Sequence, residues 1–468
     1  MNLDSVLSPY HIYCGFQMKK QTLIIAIVFS VMLSLPFGEG WGGASFAQGN
    51  TDTLLRKGIS FLINKQYDKA LEKFNEVITI QPTNADAYYN RAIVHASKGS
   101  INSAITDYSK TIEYNPRKVE AYINRGSAYS ELKQYKQALD DYNKAIELKP
   151  KMAEIYNNRG YLFSIQNNHP EAIKDFDKAL DLNPKYSIAY INKAFSNSAL
   201  GDHQSAIEIL SKLIAIDPGF SSAYFNRATE YKELGDKKNA LKDYDKGLTL
   251  EPNDPKALLL RAEIRDEMGD DVGAVADCTT LIKLEPANAK AYYTRARAEY
   301  DIPNYLAIID DCAHAIQIKP DYWEAFILRG NAFDFMGNYE SALKDYNKAI
   351  ELNPKAVDAY DQRAVSRLAQ NDITGALSDL SRAIIISPKD VKLLDKRAIL
   401  RVATKDYKTA VDDYSTIIEL DPKNVKALMA RADILLQWGN IKQACDDYKR
   451  AETLGDGAAI SKRILNCK

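Results

Sequence analysis

Apolar and aromatic side chains recur along most of the chain at spacings of three and four residues. That is the period of an α-helix with one buried face. Residues 121–148, AYINRGSAYSELKQYKQALDDYNKAIEL, hold two such runs parted by a short polar turn. The pair of runs returns at a fixed interval, marked by prolines. Pro82, Pro116, Pro150, Pro184, Pro218, Pro252, Pro286, Pro320, Pro354, Pro388 and Pro422 stand 34 residues apart without a slip. With this proline at position 32, twelve repeats start at 51, 85, 119, 153, 187, 221, 255, 289, 323, 357, 391 and 425. The pattern predicts helix A over positions 2–14 and helix B over positions 18–30 of each repeat.

The columns of this register carry more than hydrophobicity. Position 8 is always Gly or Ala, as at Gly58, Ala92, Gly126 and Gly160, and position 20 is Ala in every repeat except at Ile308. Small residues at two fixed places let helix axes approach, and large ones at position 24 fill the remaining space. Position 15 is often glycine (Gly99, Gly201, Gly235, Gly269, Gly337, Gly439), suited to the left-handed residue that ends many helices. The proline follows helix B and cannot continue it. Period, small-residue slots and aromatic slot together resemble the tetratricopeptide repeat family. The resemblance implies an all-α fold, a right-handed superhelical solenoid of antiparallel helix pairs, working as a protein-binding scaffold. The chain is expected to divide into an extension with a signal peptide (1–47), the repeats (48–458) and a capping helix (459–468).

One column departs from the family. The usual apolar residue at position 7 is replaced by Arg or Lys throughout, as at Arg91, Arg125, Arg159 and Lys193. Such a column invites an anion-binding reading, but position 23 answers it. Asp107, Asp141, Asp175 and seven further aspartates stand there, and the two repeats without one (Lys73, Ile209) are the two with Lys at position 7 (Lys57, Lys193). The co-occurrence predicts internal pairs Arg91–Asp107, Arg125–Asp141 and Arg159–Asp175, since the guanidinium fork matches a carboxylate.

In this family the A helices line the concave face. Position 6 of repeats 2 to 6 is Asn90, Asn124, Asn158, Asn192 and Asn226. An amide both donates and accepts, so a row of them suits an extended segment held through its backbone. The row is similar to the asparagine ladder in the superhelix of the O-linked N-acetylglucosamine transferases. Tyr89, Ile123 and Phe225 at position 5 are expected to receive apolar side chains of that segment. The alternative for the row is descent from a duplicated Asn-Arg-Gly/Ala ancestor with no ligand. A carboxylate clamp like that of chaperone adaptors finds weaker support. Asn331, Gln362, Lys392 and Lys396 approach its pattern, but Ile327 stands where lysine is expected, and Asp361 and Asp395 sit nearby. Position 2 runs from acidic (Asp52, Asp86, Glu120, Glu154) to largely basic (Lys256, Lys290, Lys392, Lys426).

Composition narrows the function. A formal charge of −1 over 468 residues gives no basic field to hold nucleic acid. The histidines (His11, His95, His169, His203, His314) occupy unrelated slots, and no nucleophile elbow, phosphate loop or zinc-spaced cysteine pair occurs. No metal, cofactor or catalytic residue is expected, and the partners expected are proteins or peptides. A second function class is a regulatory or recruiting subunit of an enzyme or envelope-assembly complex encoded elsewhere.

Before the repeats, Met18, Lys19 and Lys20 precede an apolar run over 23–37, and Ser45-Phe46-Ala47 offers small residues at −3 and −1. This reads as a secretory signal cleaved after Ala47, of standard length if translation begins at Met18. The alternative is a retained anchor through 23–37, which would bring membrane contact. Cys14 precedes the run and so cannot be a lipoprotein attachment site. Export makes the cysteines count. Cys278 and Cys312 fill the aromatic slot of adjacent repeats as small buried residues, whereas a Cys445–Cys467 bridge would pin the carboxy end. There Ile460 and Ile464, one turn apart, are expected to cover the last repeat's apolar face.

Overall fold

The structure, a computed structural model, describes residues 45–300 and 304–467. The apolar run 23–37, Cys14, His11 and most of the signal segment lie outside the described residues. Among those described there are helices and turns and no strand. Helices alternate from the first A helix (Ser45–Ile63) and its partner (Tyr67–Ile80) to the last B helix (Ile441–Thr453), followed by a terminal helix, Gly457–Asn466. No described helix is long and apolar enough to cross a membrane.

The chain forms two compact bodies, one ending at Pro252 and one beginning at Asn253. Repeats 1 to 6 build the first and repeats 7 to 12 with the terminal helix the second. Within each body an A helix packs against the B helix of its own repeat, and that B helix packs against the next A helix. The interior is therefore a chain of small clusters and not one central core, as a solenoid requires. Tyr108, Tyr244, Tyr346, Tyr448, Phe74 and Phe176, all at position 24, are fully buried. The small residues opposite make room: a Cβ on Gly126 would lie 2.9 Å from the Tyr142 ring.

Turn chemistry explains where helices stop. Position 15 has positive φ at Gly99 (79°), Gly201 (81°) and Gly235 (78°), and also at Lys65 (56°), Lys133 (59°), Asn167 (59°), Asn371 (60°) and Lys405 (63°). The left-handed turn is thus a property of the repeat, adopted with or without glycine. At the next position Asp202, Asp236, Asp270 and Asp372 each accept a backbone N–H in the first turn of helix B, a standard N-cap. The periodic proline has a second role. Its carbonyl accepts from the tyrosine at position 4 of the next repeat, as in Tyr122 Oη to Pro116 O (3.3 Å) and Tyr156 Oη to Pro150 O (3.1 Å).

The terminal helix corrects one expectation. It is held by the Cys445–Cys467 disulfide, by Lys462 to Asp433 (2.6 Å) and by Arg463 to Glu452 (2.7 Å). Ala459 is its buried residue, whereas Ile460 (41% exposed) and Ile464 (64%) face outward with Leu465. Two ion pairs and a covalent link fix the helix with its isoleucines turned away from the last repeat.

Candidate binding face

The arginine column is structural. In Arg91–Asp107, Nε and Nη2 each donate at 2.7 Å to the two carboxylate oxygens. Arg125–Asp141 (2.9 and 2.7 Å) and Arg159–Asp175 (2.8 and 2.8 Å) repeat the geometry, as do Arg227–Asp243 and Arg295–Asp311. The aspartates are nearly sealed from water while the arginine stems stay partly exposed. In these five repeats the guanidinium also lies over a ring at position 4 of its own helix, as with Arg125 above Tyr122 at 5.9 Å.

The third guanidinium nitrogen makes a bond the sequence reasoning missed. Nη1 reaches back 16 residues to helix B of the preceding repeat: Arg91 to Asn75 (2.7 Å), Arg125 to Ser109 (3.0 Å), Arg159 to Asn143 (2.7 Å) and Arg431 to Ser415 (2.8 Å). One arginine thus joins three helices across a repeat boundary. Lys193, which has no aspartate of its own repeat to face, pairs instead with Asp177 of the preceding one at 2.6 Å. A signal was present in the sequence: position 25 is a short polar residue in most repeats, and it is Lys449 where no further arginine follows.

The asparagine row is embedded more deeply than a set of free amides. Asn90, Asn124 and Asn192 are buried, while Asn158 and Asn226 are half-buried. Four of the five nitrogens are used inside the protein. Asn90 Nδ2 donates to Asp86 O (2.8 Å) and Asn226 Nδ2 to Ser222 O (2.9 Å), both on their own helices. Asn124 Nδ2 donates to Tyr89 Oη (3.1 Å) and Asn192 Nδ2 to Asn157 Oδ1 (3.0 Å), each across a repeat boundary. Asn158 Oδ1 lies 3.4 Å from Asn157 Nδ2. The buried Asn90 Oδ1 has no hydrogen-bond partner.

The position-5 residues require a correction. Tyr89 (6% exposed), Ile123 (3%) and Phe225 (0%), expected to receive side chains of a bound segment, are packed into the interior. Phe225 lies so close under helix B that a Cβ on Gly247 would meet its ring. These three shape the floor of the face without offering open pockets.

Position 2 supplies the charge. Asp86 is met by Lys118 at 2.9 Å, and Glu120 by Lys149 at 3.9 Å. Lys118 Nζ also stands 5.0 Å over the Tyr89 ring. Burial, and then the neighbouring Glu120 carboxylate, hold the Glu154 pKa above the ordinary glutamate value. In the second body several residues of the clamp pattern are engaged inside the protein. Lys396 is tied to Asp361 (2.7 Å), Asn331 Oδ1 accepts from Tyr346, and Asp395 accepts from Tyr414. Ile327 is buried there. Asp310, Asp311 and His314 bring ligand atoms near one another, but Asp311 is already held by Arg295. Cys278 and Cys312 are free thiols, both buried.

Repeat geometry and columns define a helix-pair interaction solenoid, and comparison with known sequences places it. Sequence models of the tetratricopeptide repeat match residues 119–152, 153–186, 221–254 and 323–356. Further models of the same repeat match 58–99 and 95–133, 188–220 and 396–459. The chain belongs to the tetratricopeptide repeat family. No curated protein matches it. Among solved structures, it is similar to a tetratricopeptide repeat protein from Parabacteroides merdae, with 23% identity over 53% of this chain and 98% of that one, TM-score 0.43. It is also similar to yeast Tom70, with 17% identity over 90% and 94% of the two chains, TM-score 0.40. A third likeness is to YrrB, described as having an unusual peptide-binding site, with 23% identity over 40% and 95%, TM-score 0.33.

Proposed function

We propose that the protein is a non-catalytic scaffold that binds an extended protein segment along the concave face of repeats 1 to 6. The carrying observation is the amide column: five consecutive repeats place asparagine at one position, and in four of them the nitrogen is tied internally. A fixed nitrogen orients its amide, and a row of oriented amides offers acceptors where its members reach the surface, as at the half-buried Asn226. Main-chain N–H groups of an extended segment meet such a row with little dependence on sequence. The buried rings and aliphatics of position 5 make the floor rigid, which lowers the ordering cost of binding.

The test uses Asn158→Ala and Asn226→Ala, the two half-buried members, in the full chain. Binding of partners crosslinked in native cells and identified by mass spectrometry should fall, with helicity unchanged by circular dichroism. Unchanged capture with intact helicity refutes the groove.

Export is part of the same proposal. It is supported by the residues before the repeats and by the Cys445–Cys467 bridge, since disulfides persist in oxidising compartments. Amino-terminal sequencing of the cellular protein should begin at Gln48.

A further inference from the structure

We propose that the protein forms a two-fold dimer through its terminal helix, Gly457–Asn466, with the same helix of a second copy laid antiparallel across it. The proposal is independent of the groove reading. A helix that closes a solenoid needs a polar outer face to stay soluble. This one inverts the rule. Its two charged side chains, Lys462 and Arg463, are tied to Asp433 and Glu452. The residues it leaves exposed are Gly457, Ala458, Ile460, Ser461, Ile464 and Leu465, a face without a charge. The repeat register shows what kind of object covers such a face. Counting on 34 residues from 425 makes residue 459 the first position of a further unit, so Leu465 holds position 7. In the repeats with an Arg–Asp pair, the side chain at that position is directed onto helix B of its own repeat. Here leucine replaces the arginine, and among the described residues no helix B stands opposite it. A second helix with an apolar face meets the same need.

Shape and area select a second copy. The exposed face is graded along the helix, with Gly457, Ala458 and Ser461 toward its start and Ile464 and Leu465 toward its end. A two-fold axis at Ser461 lays Leu465 of each copy over Gly457 of the other, and Ile464 over Ala458, so that large side chains meet small ones. The space beside Gly457 is open, since a Cβ there would meet nothing within 4 Å. A two-fold contact sets every charge of a face against its own sign, and this face has none to repel. The Cys445–Cys467 bridge adds to the area. It holds the end of the helix beside the start of the last B helix, where Ile441 is 52% exposed and Trp438, just before it, 46%. Ile460 (41%), Ile464 (64%) and Leu465 (74%) complete the set. Together the five side chains expose on the order of 500 Å² per copy, and two copies reach the roughly 1,000 Å² that a specific interface needs. That is the low end of the range, so the dimer should be weak, with a dissociation constant on the order of 10 µM.

Sedimentation velocity of the full chain between about 1 and 100 µM tests this, and should show monomer passing to dimer across that range. Ile464→Lys, which places a cation in the face of each copy, should weaken the dimer at least about tenfold. Val272→Lys, at an aliphatic residue 73% exposed on repeat 7, should leave it unchanged. Ser461→Cys, at the two-fold axis, should link two copies covalently on mild oxidation, and Val272→Cys should not. Every substituted side chain lies on the surface, and circular dichroism checks that helicity is kept. A chain that stays monomeric throughout overturns the proposal. So does a dimer indifferent to Ile464→Lys, or a Ser461→Cys variant that crosslinks no faster than Val272→Cys. Monomers that bind phosphatidylcholine vesicles and lose them on Ile464→Lys overturn it as well, by giving the face to a lipid surface.

Discussion

Replacing Arg125 by Met tests the physical role of the arginine column most directly. The methionine keeps most of the apolar stem and removes the fork. Asp141, 5% exposed, then loses donors at 2.9 and 2.7 Å, and Ser109 loses the bond that crosses the repeat boundary. Removing one partner of a buried pair costs about 3–5 kcal/mol. The Arg125 side chain is 18% exposed, so water reaches the vacated site and the low end, about 3 kcal/mol, is expected. Adding Asp141→Leu removes the stranded carboxylate as well. The double variant should recover to within about 1 kcal/mol of the parent, because apolar replacement of a buried pair is often near neutral. Urea denaturation gives the totals. Hydrogen exchange locates the effect, which should fall on Ile101–Tyr114, Val119–Glu131 and Tyr135–Leu148, the three helices the arginine joins. If the two substitutions add, or if Arg125→Met costs less than about 0.5 kcal/mol, the guanidinium is a surface decoration and the reasoning fails.

Three further outcomes are expected. Glu154→Gln should stabilise the chain by about 1 kcal/mol at neutral pH, because the raised folded pKa makes ionisation cost stability as pH climbs. Below the unfolded glutamate value near about 4.3 both side chains are neutral and the gain should vanish, so a gain that persists in acid refutes the assignment. Lys133→Gly should stabilise by about 1 kcal/mol, since lysine there holds φ of 59° and only glycine enters that region without strain; a lower urea midpoint would contradict this. Reducing the Cys445–Cys467 bridge, which closes a separation of 22 residues, should cost about 3 kcal/mol. The loss should be confined to the last repeat and terminal helix, seen as faster proteolysis after Thr453, and uniform loosening of all repeats would count against it.

Much of the architecture was legible because it is written twelve times. A single repeat leaves the role of Arg125 ambiguous. Twelve aligned repeats show which column changes with it, and the pairing with Asp141 follows. The same comparison contained Asn75, Ser109 and Asn143 at position 25, but a bond between neighbouring repeats spreads over two rows of the alignment and is harder to see. Burial was less legible. Tyr89, Ile123 and Phe225 share a helical face with the amides, and spacing alone does not tell a floor from a pocket. That depends on how far the next helix overhangs them, which is set by volumes such as Gly247 above Phe225.

Periodicity by itself determined the helix pairs, the turns and the family, because helix length, stop signals and small-residue slots are local properties repeated in register. The tertiary structure decided the state of each polar group. It turned the Asn90 and Asn124 nitrogens inward, left the Asn90 oxygen without a partner, gave Asp86 and Glu120 their lysines, and turned Ile460 and Ile464 outward. The physical reason is that a hydrogen bond or an ion pair depends on a partner's position to a few tenths of an ångström, whereas a helix depends only on its own residues and the side they bury.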